Sequence, residues 1–405
     1  MRKRVNLVLA AVFCISVLLV CAMTLITSGR NFAYGFFKSY TDQLPRDPDV
    51  FDNVKARIYK LEYNAENRLW GRDPLRHLSA RTQMLPGKEL INIAGYDMVK
   101  LNSGGYYNVV SDPYDEKTVR EFVDFGEKLK EEGRGVLLVY CHTALYEDGL
   151  LSPGAEEYDS NNEYADRLID EFSSRGVTVV DSRESYRQSG LTLDEAVNRS
   201  DVHWTHRLAL CTAHDALEAM NGRLGYKDID AEKLDMENFP LDEYYPKRLS
   251  GEFARRVGDS LVEADDVYVL WPDYETHIAY EVPDRENSYK EGSFREAAIC
   301  EENLEPDRGK TYSSNAYYIY GHYLDLTHTH NEGAGNDLTL LVFKDSYGAP
   351  LSIFLGLGAR DVYAVDTRSY KDKTMQDWVD EYDPDIVIFA YCEQTFRKID
   401  TVIED

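Results

Sequence analysis

The chain has 405 residues, 43% of them hydrophobic and 12% aromatic, which supplies core enough for one large domain or two smaller ones and argues against disorder. Its formal net charge of -27 would repel a polyanion, so a nucleic-acid role is disfavoured. The 30 tyrosines suit contact with sugar rings, although tyrosine fills ordinary cores as well.

Arg2, Lys3 and Arg4 precede an almost unbroken apolar run from Val5 to Ile26, long enough to span a bilayer as a helix. The exit, Thr24-Leu25-Ile26-Thr27-Ser28-Gly29, is a poor cleavage site, so an uncleaved signal anchor is favoured over a cleaved signal peptide. Only Arg30 and Lys38 follow closely. The positive-inside rule therefore puts the N-terminus in the cytoplasm and the remaining chain outside, as a single-pass protein of the cell membrane. Val20 fits badly before a lipoprotein cysteine, so Cys21 reads as a plain membrane cysteine. Cys141, Cys211, Cys300 and Cys392 show no CxxC spacing, which indicates neither a metal site nor a dense disulfide framework; one or two disulfides stay open.

After the anchor (1–27), residues 28–114 read as a stalk and an N-terminal elaboration. The stalk runs from Ser28 to Asp49, broken by Pro45 and Pro48. A helix is expected from Val50 to about Leu69, then short strands and turns from Gly95 to Val110. The main domain covers 115–405. Residues 115–133 carry Val119, Phe122, Val123, Phe125 and Leu129 at helical spacing. Val136 to Tyr140 is a continuous apolar run, the mark of a strand buried on both faces. A helix over about 162–175 leads to a second such strand, Val177 to Val180. This alternation predicts an α/β fold, a parallel sheet with helices on both faces. Residues 223–335 break the pattern and read as an insertion that elaborates the sheet, with one strand at Val267 to Leu270. Strands then return at Leu338 to Phe343, Asp361 to Val365 and Ile386 to Tyr391, with helices at 349–357 and 373–382.

Two motifs carry chemistry. Lys344-Asp345-Ser346-Tyr347-Gly348 puts a serine on a strand-to-helix turn, at the carboxyl edge of the sheet where ligands gather and helix-start amides are free to stabilise an oxyanion. By itself such a serine is more often a helix cap. Asp201-Val202-His203-Trp204-Thr205 lies in a loop before a helix. Residues i and i+2 of an extended segment share a side, so Asp201 can hold one imidazole nitrogen while the other takes a serine proton. Trp204 is expected to exclude water behind the ring.

Together the motifs resemble the alginate O-acetyltransferase group (AlgX and AlgJ type) of SGNH-hydrolase-like proteins, including the bacterial DHHW family. Asn161-Asn162, Val177 to Asp181, Asp366-Thr367-Arg368 and Val387 to Glu393 follow the group's order, and the likeness covers most of residues 115–395. The triad order is the reverse of common SGNH hydrolases, and Asp-Val-His-Trp stands where many members have Asp-His-His-Trp. The resemblance implies an SGNH-hydrolase-like, flavodoxin-like fold, with Ser346 as nucleophile, His203 as acid/base and Asp201 as orienting acid. The Tyr347 amide, Arg368 and Asn315 are candidates for oxyanion or substrate contact, a salt bridge from Arg368 to Asp366 being the rival reading; Gly321 is a further guess. It also implies O-acetylation of a surface or exported polysaccharide, with acetyl supplied by a multispanning membrane O-acyltransferase and no cofactor. An esterase with the same triad and a non-catalytic polysaccharide-binding protein stand as alternatives. His328-Thr329-His330-Asn331 lacks an acidic or cysteine partner at suitable spacing and reads as a polar loop, so no metal is expected.

Overall fold

A computed structural model describes residues 2–41, 69–93, 95–109, 114–143, 149–151, 153–240, 243–321, 326–370, 373–398 and 403. It divides into two units, Met1–Leu85 and Pro86–Asp405.

The first unit holds helix α1 (Arg2–Thr41), whose stretch Ala10–Thr27 is long and apolar enough to cross a membrane, and helix α2 (Arg72–Met84). The first part of the expected stalk, residues 28–41, continues α1 as helix through Thr41. Residues 28–41 contain no proline, and the first helix-breaking residue, Pro45, comes later. Pro45, Pro48 and the helix expected over 50–69, save Leu69, lie outside the described residues.

In the second unit, β1 (Leu90–Ile93), β2 (Tyr96–Lys100) and β3 (Tyr106–Asn108) form an antiparallel sheet where short strands were expected. The main sheet has eight strands in the order β5-β4-β13-β11-β12-β10-β8-β9. Five are parallel: β4 (Gly135–Tyr140), β5 (Thr178–Asp181), β11 (Thr339–Lys344), β12 (Asp361–Val365) and β13 (Ile386–Tyr391). Every residue of β4 and β13 is buried, as their unbroken apolar runs demand.

Alternate residues feed two cores. On one face Leu138, Tyr140, Leu341, Phe343 and Phe389 pack with α3 (Glu116–Glu131), α4 (Asn161–Ser174) and Trp378. On the other, Leu137, Val139, Leu340, Val342 and Ile388 meet α5 (His206–Gly222) and α7 (Gly348–Leu355). Burying each large apolar side chain stabilises the fold by about 1.5–3 kcal/mol. The helix ends are set locally: the Asp115 side chain accepts from Thr118 N–H at the start of α3, and that of Thr205 from Leu208 N–H at the start of α5.

The expected parallel sheet is present, and the insertion elaborates it as expected. The insertion at 223–335 adds three strands to the same sheet, β8 (Ile278–Glu281), β9 (Lys290–Gly292) and β10 (Thr327–His330), all joined antiparallel. The Val267 strand instead pairs with a partner from the same insertion, as the ribbon β6 (Glu243–Leu249) and β7 (Asp265–Val269).

The strand order explains the inverted motif order. Counted from β11, the parallel strands run β12-β11-β13-β4-β5, which is the flavodoxin-like order 2-1-3-4-5 begun at a different point in the chain. The order reverses beside β11, between β12 and β13, so Ser346 emerges at the topological switch point.

Candidate active site

Ser346 follows the last residue of β11 by two and precedes α7 by two. From Leu340 to Ala359 it is the one residue that is not fully buried. The turn is held tightly from both sides. A Cβ on Gly348 would stand 2.6 Å from Lys344 Cβ and 3.2 Å from Ala390 Cβ, so only glycine lets the helix start this close to β11 and β13. Asp345, almost fully buried, accepts from Tyr347 N–H (2.8 Å), Cys392 N–H (2.9 Å) and the Thr395 hydroxyl (2.6 Å). Its carboxylate thereby pins the serine turn to the loop after β13.

The imidazole arrives from a loop 143 positions earlier in sequence. His203 Nε2 lies 2.8 Å from Ser346 Oγ, and His203 Nδ1 is in hydrogen-bond contact with Asp201 Oδ1. Asp201 and His203 are 5% and 6% exposed, so a carboxylate, an imidazole and an alcohol form a nearly dry chain that opens at the alcohol. Residues 201–203 are not extended, which corrects the expected reason for their pairing. They form a bend in which the Asp201 carboxylate also accepts from His203 N–H at 3.1 Å, the way aspartate caps the backbone two residues on.

The insertion completes the support. Asp201 Oδ2 accepts from Glu252 N–H at 2.8 Å, at the start of α6 (Glu252–Val257). Burial pushes the Asp201 carboxyl up. The His203 imidazole and the two backbone donors outweigh burial and hold it below the usual carboxylate range. Ser200 and Arg199 fix the approach of the loop, their amides donating to Asp265 at 2.8 Å each. Behind the ring, Tyr317 stacks on His203 at 4.0 Å between centroids and 13° between planes, and its hydroxyl donates to the Ser346 carbonyl at 3.3 Å. Tyr347 flanks the imidazole at 4.8 Å. Trp204, expected in that place, is buried one layer away against Tyr347.

The other candidates fare differently. The Tyr347 amide, expected to donate to an oxyanion, is engaged by Asp345, and its hydroxyl donates to the Val202 carbonyl. Arg368 forms a two-point salt bridge with the buried Asp366, at 2.8 and 2.5 Å, while its side chain remains 40% exposed. Burial opposes its charge, but Asp366 raises its pKa overall, with a further contribution from Asp345. Asn315 caps the short turn Ala316–Ile319 that carries Tyr317; it is exposed, and its amide donates to Ser313 Oγ at 3.1 Å. Gly321 packs against Ile353 in a left-handed conformation (φ 70°). Asp345, Gly251, Glu252 and Tyr317 went unassigned in the sequence. Asp345 adjoins the serine, and that adjacency was the only signal for it.

Residues 102–298 match a family model described as the SGNH hydrolase-like domain of acetyltransferase AlgX. The match includes Asp201 and His203 and ends before Ser346. No curated protein matches the chain. Among solved structures, the chain is similar to Bacillus cereus PatB1 with a sulfonyl adduct, at 13% identity and a TM-score of 0.57, over 74% of this chain and 95% of that one. It is also similar to a DHHW family protein from Eubacterium siraeum, at 15% identity and a TM-score of 0.56, over 78% and 96%. At these identities the two structures speak to the fold alone. The family match bears out the resemblance seen in the motifs over residues 102–298, and the two structures bear out the SGNH-hydrolase-like fold.

Proposed function

We propose that this chain is an extracytoplasmic, serine-dependent O-acetyltransferase anchored in the cell membrane, moving an acetyl group through an acyl-serine intermediate onto a polysaccharide hydroxyl. The observation that carries the reading is the 2.8 Å contact between His203 Nε2 and Ser346 Oγ, with Asp201 on the far nitrogen of the same ring.

In this mechanism the Ser346 hydroxyl donates to His203 Nε2 and attacks the acetyl carbonyl of the donor as the imidazole takes its proton. Asp201 fixes the tautomer and stabilises the charge that forms on the ring. The tetrahedral intermediate collapses, His203 protonates the leaving group, and acetyl-Ser346 remains. A sugar hydroxyl then gives its proton to His203 and attacks the ester, and the serine hydroxyl is regenerated. The Tyr347 amide being engaged, the oxyanion falls to the Ser346 amide at the foot of α7, with the exposed Arg368 guanidinium at the neighbouring strand end as a substrate contact. The partly exposed Tyr318, 6.0 Å from His203, offers a ring against which a sugar can lie.

Helix α1 supports anchorage in the cytoplasmic membrane with the domain outside, close to a multispanning membrane protein that would supply acetyl groups. The test is an acetyl-ester donor supplied with and without oligosaccharide. Transfer predicts acetylated oligosaccharide and suppressed acetate release; acetate release unaffected by any saccharide would make the protein an esterase.

A further inference from the structure

The run His328-Thr329-His330 is strand β10, and its expected reading as a polar loop is incorrect. The acidic partners missing from the linear sequence come from the neighbouring strands. In the antiparallel register His330 faces Asp361 of β12, and His328 faces Glu281 of β8. Residues two apart on a strand share a face, so both imidazoles meet over the first residue of β12, while Thr329 between them is buried on the other side. Asp361 Oδ1 lies 2.8 Å from His328 Nε2 and 2.8 Å from His330 Nδ1. The far nitrogen of His328, Nδ1, is 3.1 Å from Glu281 Oε1.

We propose that His328, His330 and Asp361 bind one divalent transition-metal ion, Zn2+ being the best match, with Glu281 orienting His328 from behind. Two imidazoles and a carboxylate with one position left for water form a familiar zinc donor set. The donor atoms all lie within 4.8 Å of one another. A tetrahedral zinc with bonds of about 2.0–2.1 Å spaces its ligands by about 3.3 Å, within reach of small rotations of the side chains. The arrangement around His328 is the stronger argument. A neutral imidazole donates from one nitrogen only. With Nδ1–H donating to Glu281, Nε2 is the nitrogen left to ligate a cation shared with the Asp361 carboxylate, the arrangement in which an outer carboxylate orients a metal-bound imidazole. The ring is held in that plane by stacking on Tyr363 (4.2 Å, 6°), which stacks in turn on Tyr382 (4.0 Å). His328, His330 and Asp361 are partly exposed, so an ion has access from solvent.

The cluster lies at the opposite edge of the sheet from the serine. Asp361 pairs with Thr339 at the start of β11, and Ser346 lies beyond that strand's end, roughly 20 Å away at about 3.3 Å per residue. The ion would therefore tie the insertion strands β8 and β10 to β12 and take no part in acyl transfer.

The test uses the full chain in detergent, stripped with chelator and dialysed against Zn2+ or Co2+ alone. The expected result is one Zn2+ retained per chain, a rise in melting temperature, and a tetrahedral Co2+ spectrum in the visible. His330→Gln, a partly exposed position, should keep the circular dichroism spectrum and weaken Zn2+ by at least about tenfold, and Glu281→Gln by about 10- to 100-fold. His214→Ala, at a separate imidazole on α5 near Asp215 and Asp235, should change nothing. No retained Zn2+ in the wild type, or equal Zn2+ affinity in wild type and both cluster variants, overturns the proposal.

Discussion

Asp201 and Gly251 fit together so closely that a side chain on the glycine would occupy the carboxylate's place. A Cβ built on Gly251 falls 1.8 Å from Asp201 Oδ2 and 2.3 Å from both its Cβ and its Cγ, atoms of a buried side chain held in place by His203 and the Glu252 amide. The absence of one methyl lets the Glu252 amide reach Asp201 and, through Asp201, fixes His203. Gly251→Ala should therefore cost about 1–3 kcal/mol in stability, as overpacking does. It should also lower turnover of an acetyl ester by about 100-fold or more. A melting curve and initial rates measure the two. A variant with wild-type turnover would show that the Asp201 position is not set by this contact.

Tyr317 supports the imidazole by its ring more than by its hydroxyl. Tyr317→Phe keeps the 4.0 Å stack and loses the long hydrogen bond to the Ser346 carbonyl, so its kcat should stay within about threefold of wild type. Tyr317→Leu removes the stack and should lower kcat by about tenfold with little change in KM. Equal losses in both variants would assign the effect to the hydroxyl.

Asp345 is predicted to be a positioning residue. Asp345→Ala leaves two amides and a hydroxyl without their buried acceptor, at about 1–3 kcal/mol each. Thermal unfolding should move well below wild type. Asp345→Asn keeps one acceptor oxygen and should fall between the two. A melting temperature unchanged in Asp345→Ala would mean that the serine turn is held by other contacts.

The pH dependence of stability follows from Asp201. Its folded-state pKa is below that of the unfolded chain, so between the two values the unfolded state binds more protons. The stabilisation is complete above the usual carboxylate range and is lost as pH falls through the folded value. Asp201→Asn should remove this contribution, and its melting temperature should fall less than that of wild type between pH 7 and pH 3. Parallel falls in both proteins would remove Asp201 from the acid-labile groups.

The parallel half of the sheet was legible because a strand buried on both faces must be continuously apolar, as Val136 to Tyr140 and Ile386 to Tyr391 are. The meeting of Ser346, His203 and Asp201 was legible because a serine on a strand-to-helix turn and an Asp-x-His pair each put polar groups on loops. The antiparallel half was not. Strands β8, β9 and β10 have three or four residues each and mix polar with apolar side chains, so their pattern resembles a loop. What they bring together, His330 with Asp361 and His328 with Glu281, depends on register between segments 31 and 47 residues apart. The same holds for Tyr317 on His203 and Gly251 on Asp201, contacts between the irregular insertion and the Asp201–His203 loop that local spacing does not encode.

The account stands on a single covalent event at Ser346. The full chain, treated with an activated acetyl ester and quenched in acid, should gain one acetyl group that peptide mapping places on Ser346. The adduct should be absent in Ser346→Ala, and it should form at least about 100-fold more slowly in His203→Ala, with both variants folded by circular dichroism. Acetylation elsewhere, or acetyl transfer that survives in Ser346→Ala, would contradict it.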